Sequence, residues 1–260
     1  MKVIILAAGR GSRMGNLTSH IPKCMIEFMG KPILEYTLKT LNNHKSINEI
    51  VLLRGYQSEK IKYPNIKYYD AVQTQNMVET LFFATEELND DLLILYGDVI
   101  MSENIIDLLV KSKYDISVCI DANWKELHEL RFGNLSDDLE SCAIDNEGNI
   151  TNIGEKKPQL DDVNGQYFGA IRLNSNGCEI FKSFYDKAKN KENLNQNWMR
   201  GRNFNSIYMT DFLQGLIDDG NKIKAVMCNK GWLEFDSKSD LDIYEKLHNT
   251  KQLNEFFVMP

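Results

Sequence analysis

Continuous apolar runs alternate with apolar stripes at helical spacing along the first half of the chain. Residues 3–7 (VIILA), 49–53 (EIVLL) and 92–96 (LLILY) are short and rich in β-branched or large aliphatic side chains, the pattern of strands covered on both faces. Between them, Ile33, Leu34, Tyr36, Thr37, Leu38 and Leu41 follow helical spacing behind Pro32, a residue favoured in a first helical turn. Met77, Val78, Leu81, Phe82 and Leu88 predict a second helix, and Ile105, Ile106, Leu108 and Leu109 a third. Strand and helix in alternation require crossover connections, which gives an α/β fold: a mostly parallel sheet with helices on both faces.

The pattern loosens after Asp121. Short strands are predicted over 141–144, 150–154 and 167–173, the first two separated by the turn sequence Asp145-Asn146-Glu147-Gly148-Asn149. A polar stretch over 190–205, carrying Trp198, Arg200 and Arg202, reads as a loop or mobile lid. Regular structure then returns as a helix over 210–217, a strand over 222–228 and a helix over 239–247. No internal repeat or linker divides the chain, so residues 1–260 are expected to form one domain with a small β-rich insertion.

Composition narrows the function classes. With 260 residues, 43% apolar and 26% charged, the chain has an ordinary globular make-up. A formal net charge of −7 disfavours nucleic acid as a partner, since binding a phosphate backbone needs a basic surface. A few cations focused in a cleft can still hold a small anion. Cys24, Cys119, Cys142, Cys178 and Cys228 are odd in number and scattered, with no CxxC, so reduced thiols in a cytoplasmic protein are expected. The apolar start meets Gly9-Arg10-Gly11 too early for a signal peptide, and no stretch approaches the roughly 18 apolar residues of a membrane span.

The informative segment is LAAGRGSRM, residues 6–14, followed by Pro22-Lys23 and by GKPILEYTL, residues 30–38. A buried strand here ends in small residues and glycines, so the backbone turns sharply and its N–H groups can face a phosphate. Arg10, Arg13 and Lys23 bring positive charge to the same loop, which starts where open α/β sheets bind ligands. The P-loop string GxxxxGK[ST] does not occur, and the dinucleotide fingerprint GxGxxG fails because Met14 stands where its last glycine belongs.

These segments resemble the signature block of the nucleotidyltransferase family that includes sugar-phosphate nucleotidylyltransferases. Across nearly the whole chain the sequence is most similar to the cytidylyltransferase branch acting on phosphocholine and 2-aminoethylphosphonate. The resemblance implies a Rossmann-like sheet with approximate divisions: a nucleotide-binding half over 1–120, an acceptor-binding part with a lid over 121–235, and a C-terminal helix and tail over 236–260. It also implies CTP and a small nitrogen-bearing phosphorylated acceptor as substrates: phosphocholine, an aminoalkylphosphonate, or an amide phosphate such as phosphoglutamine. The pathway implied is surface-glycan modification, and the cofactor is Mg2+.

Residue by residue, the resemblance places Leu6, Ala7, Ala8, Gly9, Arg10 and Gly11 in the nucleotide cradle, Lys23 at the transferring phosphate and Arg13 on the triphosphate. Gly97-Asp98 matches the metal-binding aspartate, and Trp232-Leu233-Glu234-Phe235-Asp236 a block whose aspartate completes the metal site. Gln75 and Asn76 fall where amide side chains meet the base; an amide offers both donor and acceptor to cytosine. Asp121, Trp124, Arg131, Tyr167 and Trp198 lie in segments that recognise the acceptor, and Glu155 and Lys156 are placed to face its phosphate. Without the resemblance, Asp98 reads equally as a turn residue after a strand, and Lys23 as an exposed lysine. A glycosyltransferase would show D-x-D where this chain has Tyr96-Gly97-Asp98-Val99. A sugar-1-phosphate nucleotidylyltransferase using UTP or dTTP is the alternative enzyme, and a non-catalytic nucleotide-binding homologue the alternative outside catalysis.

Overall fold

The computed structural model describes residues 1–189 and 196–260. In chain order the elements are β1 (Lys2–Ala7), β2 (Glu27–Phe28), β3 (Lys31–Pro32), α1 (Ile33–Asn43), β4 (Glu49–Arg54), β5 (Lys67–Asp70) and α2 (Met77–Phe82). There follow β6 (Leu92–Tyr96), β7 (Val99–Met101), α3 (Glu103–Lys111), β8 (Ile116–Asp121), α4 (Trp124–Phe132), β9 (Glu140–Ile144) and β10 (Ile150–Lys156). The last are β11 (Gln166–Leu173), α5 (Ser175–Ala188), α6 (Met209–Asp218), β12 (Lys224–Cys228), β13 (Trp232–Glu234) and α7 (Lys238–Asn249).

Seven strands form the central sheet in the order β12-β8-β11-β6-β1-β4-β5. Its pairings are parallel except at β11, which runs antiparallel between β6 and β8. The runs read as doubly covered strands are so: along β1, Val3, Ile5 and Ala7 join one core with α1, α3 and α7, while Ile4 and Leu6 join another with α2, α5 and α6. All five cysteines are buried and free. Cys24 packs into the first of these cores, and burial pushes its thiol up to about 12.

Two differences from the expected pattern have local causes. The stripe over 77–88 is not one helix. The Asn76 side chain caps α2, the chain leaves helical geometry at Ala84, and a separate turn carries Glu87 to Lys2 beneath the sheet. The polar stretch over 190–205 falls partly outside the described residues, at 190–195, while 196–205 is held against the body by side-chain hydrogen bonds. Arg200 and Arg202 both donate to the fully buried Asp211, at 3.2 and 3.3 Å, Arg200 also donates to the Ile153 carbonyl at 2.7 Å, and Phe204 is buried.

Candidate active site

The loop after β1, the ends of β6 and β13 and the hairpin β9–β10 surround a cavity of about 800 Å³ beyond the carboxyl ends of the parallel strands. This is where the topology of an open α/β sheet places a ligand. Gly9, Gly11, Ser12 and Arg13 line one end. Gly11 has φ 72, and a Cβ there would lie 2.8 Å from the Lys23 side chain, so only glycine lets the loop and the lysine pack together.

Lys23 is the centre of the site. Its Nζ donates to Asp98 Oδ2 at 2.5 Å and to Asp236 Oδ1 at 2.6 Å, joining carboxylates that stand far apart in sequence. The β7–β13 ladder brings them together, with Glu234 opposite Val99 and the Phe235 amide bonded to the Asp98 carbonyl at 3.0 Å. Burial works against the Lys23 ammonium, but Asp98 and then Asp236 outweigh it and hold its pKa above the ordinary lysine value. Burial likewise opposes the Asp236 charge, and Lys23, with Arg13 and Arg131 behind it, keeps that carboxyl below the usual range. The exposed Arg13 side chain donates to Asp236 Oδ1 at 3.1 Å.

Glu234 also lines the cavity. It belongs to the Trp232–Asp236 block and stands one strand period from Asp236, a spacing that marks it as a wall residue only once the cavity is seen. Burial, together with the neighbouring Asp236 charge, pushes it up to about 7, with Arg131 opposing. Tyr96 is a second unassigned wall residue, two positions before Asp98; Tyr167 Oη donates to its hydroxyl at 3.1 Å, with the rings edge to face. His128, Phe132, Asp138, Glu140 and Tyr208 complete much of the wall.

Of the residues expected at the site, Gly9, Gly11, Arg13, Lys23, Gln75, Asn76, Asp98, Lys156, Tyr167 and Asp236 line this cavity. Asn76 is spent structurally: its Oδ1 accepts the Glu79 amide of α2 at 2.9 Å and its Nδ2 donates to the Phe204 carbonyl at 2.9 Å. Gln75 is exposed, and among the described residues its amide side chain makes no hydrogen bond, so the free amide of the pair is Gln75. Leu6, Ala7, Ala8 and Gly97 lie behind the loop and not on the wall. The Gly97 amide is bonded to the Leu6 carbonyl at 2.9 Å, and the Ala8 carbonyl accepts from Tyr56. Arg10 lies over the Tyr56 ring, off the cavity lining.

The acceptor assignments need more correction. Asp121 is fully buried: its Oδ2 accepts from Trp232 Nε1 and its Oδ1 from the amides of Asn123 and Lys230, each at 2.9 Å. It braces the segment leading to the Glu234–Asp236 end. Trp124 is a core residue packed with Leu139 and Val163, because it opens α4 on the side facing the protein. Arg131 donates to Asp240 at 2.9 Å and to Glu234 at 2.8 Å and lies 3.7 Å from Asp236, so it supports the carboxylates from beneath. Asp240 also accepts the amides of Asp236 and Ser237, fixing where α7 begins. Glu155 is exposed and not part of the cavity lining, and Trp198 packs against Phe184 and Phe204. Sequence position alone did not separate these supports from wall residues, because burial depends on chain segments far away.

Asp98 and Asp236 supply two hard oxygen donors converging on one cationic nitrogen. Among the described residues no cluster of three or more His, Cys, Asp or Glu forms a metal cage. Two carboxylates facing a cavity suit a cation that keeps most of its shell as water and phosphate oxygens, which is the habit of Mg2+.

Comparisons with known proteins agree with this architecture. A family model described as the MobA-like NTP transferase domain matches residues 3–149. The chain is 34% identical over 259 residues to the CTP:phosphoglutamine cytidylyltransferase of Campylobacter jejuni, covering 94% of this chain and 98% of that protein. The inositol-1-phosphate CTP transferase of T. maritima superposes with a TM-score of 0.68 at 18% identity, covering 99% of this chain and 97% of that one. The CTP:phosphocholine cytidylyltransferase of Streptococcus pneumoniae does so with a TM-score of 0.64 at 20% identity, covering 96% and 98%. At those identities the two structures establish the fold. No helix among the described residues is long and apolar enough to cross a membrane.

Proposed function

The chain belongs to the MobA-like NTP transferase domain family, and we propose that it transfers CMP from CTP to an amide-phosphorylated amino acid of the phosphoglutamine type. Relatives of this chain include proteins named as CTP:phosphoglutamine and CTP:phosphocholine cytidylyltransferases, which supports CTP as the nucleotide and a phosphorylated acceptor. The observation that carries the site assignment is Lys23, an ammonium held between Asp98 and Asp236 at the floor of the cavity, beside the glycine loop.

In the reaction an anionic oxygen of the acceptor phosphate attacks the α-phosphorus of CTP. A new P–O bond forms, the bond from the α-phosphorus to the bridging oxygen breaks, and pyrophosphate leaves with that electron pair. The nucleophile is already deprotonated, so no general base is needed. The difficulty is to bring two anions together and to stabilise charge on the leaving group, which is a task of alignment and electrostatics. Lys23 is suited to it because its carboxylate partners keep it protonated at any working pH and fix its position. Its side chain meets the transferring phosphate, and Arg13, exposed on the loop, meets the departing pyrophosphate. Gly9 leaves space at the loop, since a Cβ there would touch no protein atom, and Gln75 offers its free amide to the cytosine edge. Asp98 and Asp236 would hold Mg2+, which when bound neutralises phosphate charge and polarises the phosphoryl oxygens.

The test is pyrophosphate release with CTP, UTP, ATP and dTTP, each against phosphoglutamine, phosphocholine, 2-aminoethylphosphonate, phosphoethanolamine and glucose 1-phosphate, with magnesium. A signal with CTP and phosphoglutamine is expected. Turnover only of glucose 1-phosphate would overturn the acceptor assignment.

A further inference from the structure

Past the reacting centre the cavity wall carries a charged cluster, built on the Lys156–Glu140 cross-strand pair of the β9–β10 hairpin, that the phosphate chemistry does not use. Lys156, at the end of β10, places its Nζ 3.0 Å from Asp138 Oδ1 and 2.8 Å from Glu140 Oε1, and all three residues line the cavity. The three side chains are 42%, 44% and 32% exposed, open enough to meet a ligand and too open to add much stability. Backbone strain gathers around them: Asp138 and Lys157, neither of them glycine, have φ of 52 and 57. Strain of this kind persists where the surrounding structure enforces it, and it clusters at ligand sites. The Tyr96–Tyr167 pair ties this region to the centre. Tyr96 stands two residues before Asp98, Tyr167 bonds to its hydroxyl, and the charges of both Asp98 and Glu140 bear on Tyr96.

The charge pattern selects among head groups. A quaternary ammonium meets the two carboxylates but offers no anion to Lys156, and a sugar has no charge to match either sign. A head with one ammonium and one carboxylate matches both. We propose that Asp138, Glu140 and Lys156 read the free amino-acid head of the acceptor, the two carboxylates taking its ammonium and Lys156 its carboxylate. The triad opens as the substrate's ammonium and carboxylate replace the two ion pairs that Lys156 makes with Asp138 and Glu140. The proposal rests on the cytidylyl-transfer reading above and adds to it which residues set acceptor choice.

The experiment measures kcat and KM with CTP and three acceptors: amide-phosphorylated glutamine, its decarboxylated analogue and its deaminated analogue. Wild type, Lys156→Met and Glu140→Gln are compared. For Lys156→Met the KM for phosphoglutamine should rise about 10- to 100-fold, the range of a lost hydrogen bond between charged groups. Its kcat should stay within about twofold of wild type, and the KM for the decarboxylated acceptor should not change. Glu140→Gln should give the mirror result, sparing only the deaminated acceptor. Melting temperatures should match wild type, since the triad is exposed. An equal effect of Lys156→Met on phosphoglutamine and on its decarboxylated analogue, or no effect on either, overturns the inference while cytidylyl transfer stands. Wild-type protein that releases no pyrophosphate from CTP with any of the three removes the parent reading, and this one with it.

Discussion

Two lysine–carboxylate clusters sit at opposite ends of the same sheet and serve different purposes. At the amino ends of the strands Glu87, with 4% of its side chain exposed, accepts from Lys2 Nζ at 2.6 Å, from Tyr69 Oη at 2.6 Å and from Lys67 Nζ. At the carboxyl ends Lys23, with 10% exposed, donates to both Asp98 and Asp236. The first cluster gives one carboxylate two cations and a phenol, so the anion is saturated and no cavity opens on it among those described. The second gives one cation two carboxylates, with Glu234 close by, and faces a cavity of about 800 Å³. Burial and ion pairing are therefore common to both. What separates the site from the brace is the open cavity that the second cluster faces.

Arg131 offers the largest test of that distinction, since it lies under the second cluster and balances it from inside. Arg131→Ala leaves Asp240 and Glu234 without their buried partner and should cost about 3–5 kcal/mol of stability. Denaturant unfolding of the variant measures this directly; wild-type stability with a raised acceptor KM would instead return Arg131 to the acceptor site. Lys23→Ala should lower turnover on the order of 10²–10³-fold, the loss expected for a charge-stabilising group, with the circular dichroism spectrum unchanged. Near wild-type turnover would make Lys23 a brace like its counterparts below the sheet.

Asp236→Asn should raise the magnesium concentration for half-maximal activity by at least on the order of 10-fold. An unchanged magnesium titration would leave the carboxylate with no role beyond orienting Lys23. The smallest effect is expected at the other cluster, where Glu87→Gln should cost about 1–3 kcal/mol and leave kcat unchanged. Burial favours the neutral form of Glu87, but Lys2, Lys67 and Tyr69 outweigh it and lower its pKa from the ordinary 4.5 to about 2. A folded pKa below the unfolded one stabilises the protein above pH 4.5, and that contribution is lost as pH falls towards 2. The acid limb of a plot of melting temperature against pH should therefore be shallower in Glu87→Gln, and superimposable limbs would contradict the assignment.

The two halves of the chain were unequally legible. Along β1, β4 and β6 each residue meets a fixed environment on each face, so an unbroken aliphatic run can hardly mean anything but a doubly covered strand. The glycine loop was legible for a similar reason, because its requirements are local: a left-handed turn at Gly11 and a lysine close enough to pack on it. The acceptor half has no such local signal. Asp121, Trp124 and Arg131 have the residue types of a binding wall, and nothing in their neighbours shows that Trp232, Leu139 and Asp240 will cover them. Conversely Asp138, Glu140 and Lys156 look like ordinary surface charge in a hairpin until the cavity is seen beside them.

The sequence by itself determined the α/β class and the glycine turn after β1, because apolar period and a glycine turn depend only on near neighbours. The family of chemistry followed from the resemblance of residues 6–14, 22–23 and 30–38 to a known signature block. Tertiary structure alone decided which carboxylates meet. Asp98 and Asp236 are joined through the β7–β13 ladder, and α7 with its Asp240 cap fixes where Asp236 stands. It also decided which charges face the cavity and which are sealed beneath it, since burial is set by segments distant in the chain and no local pattern encodes it.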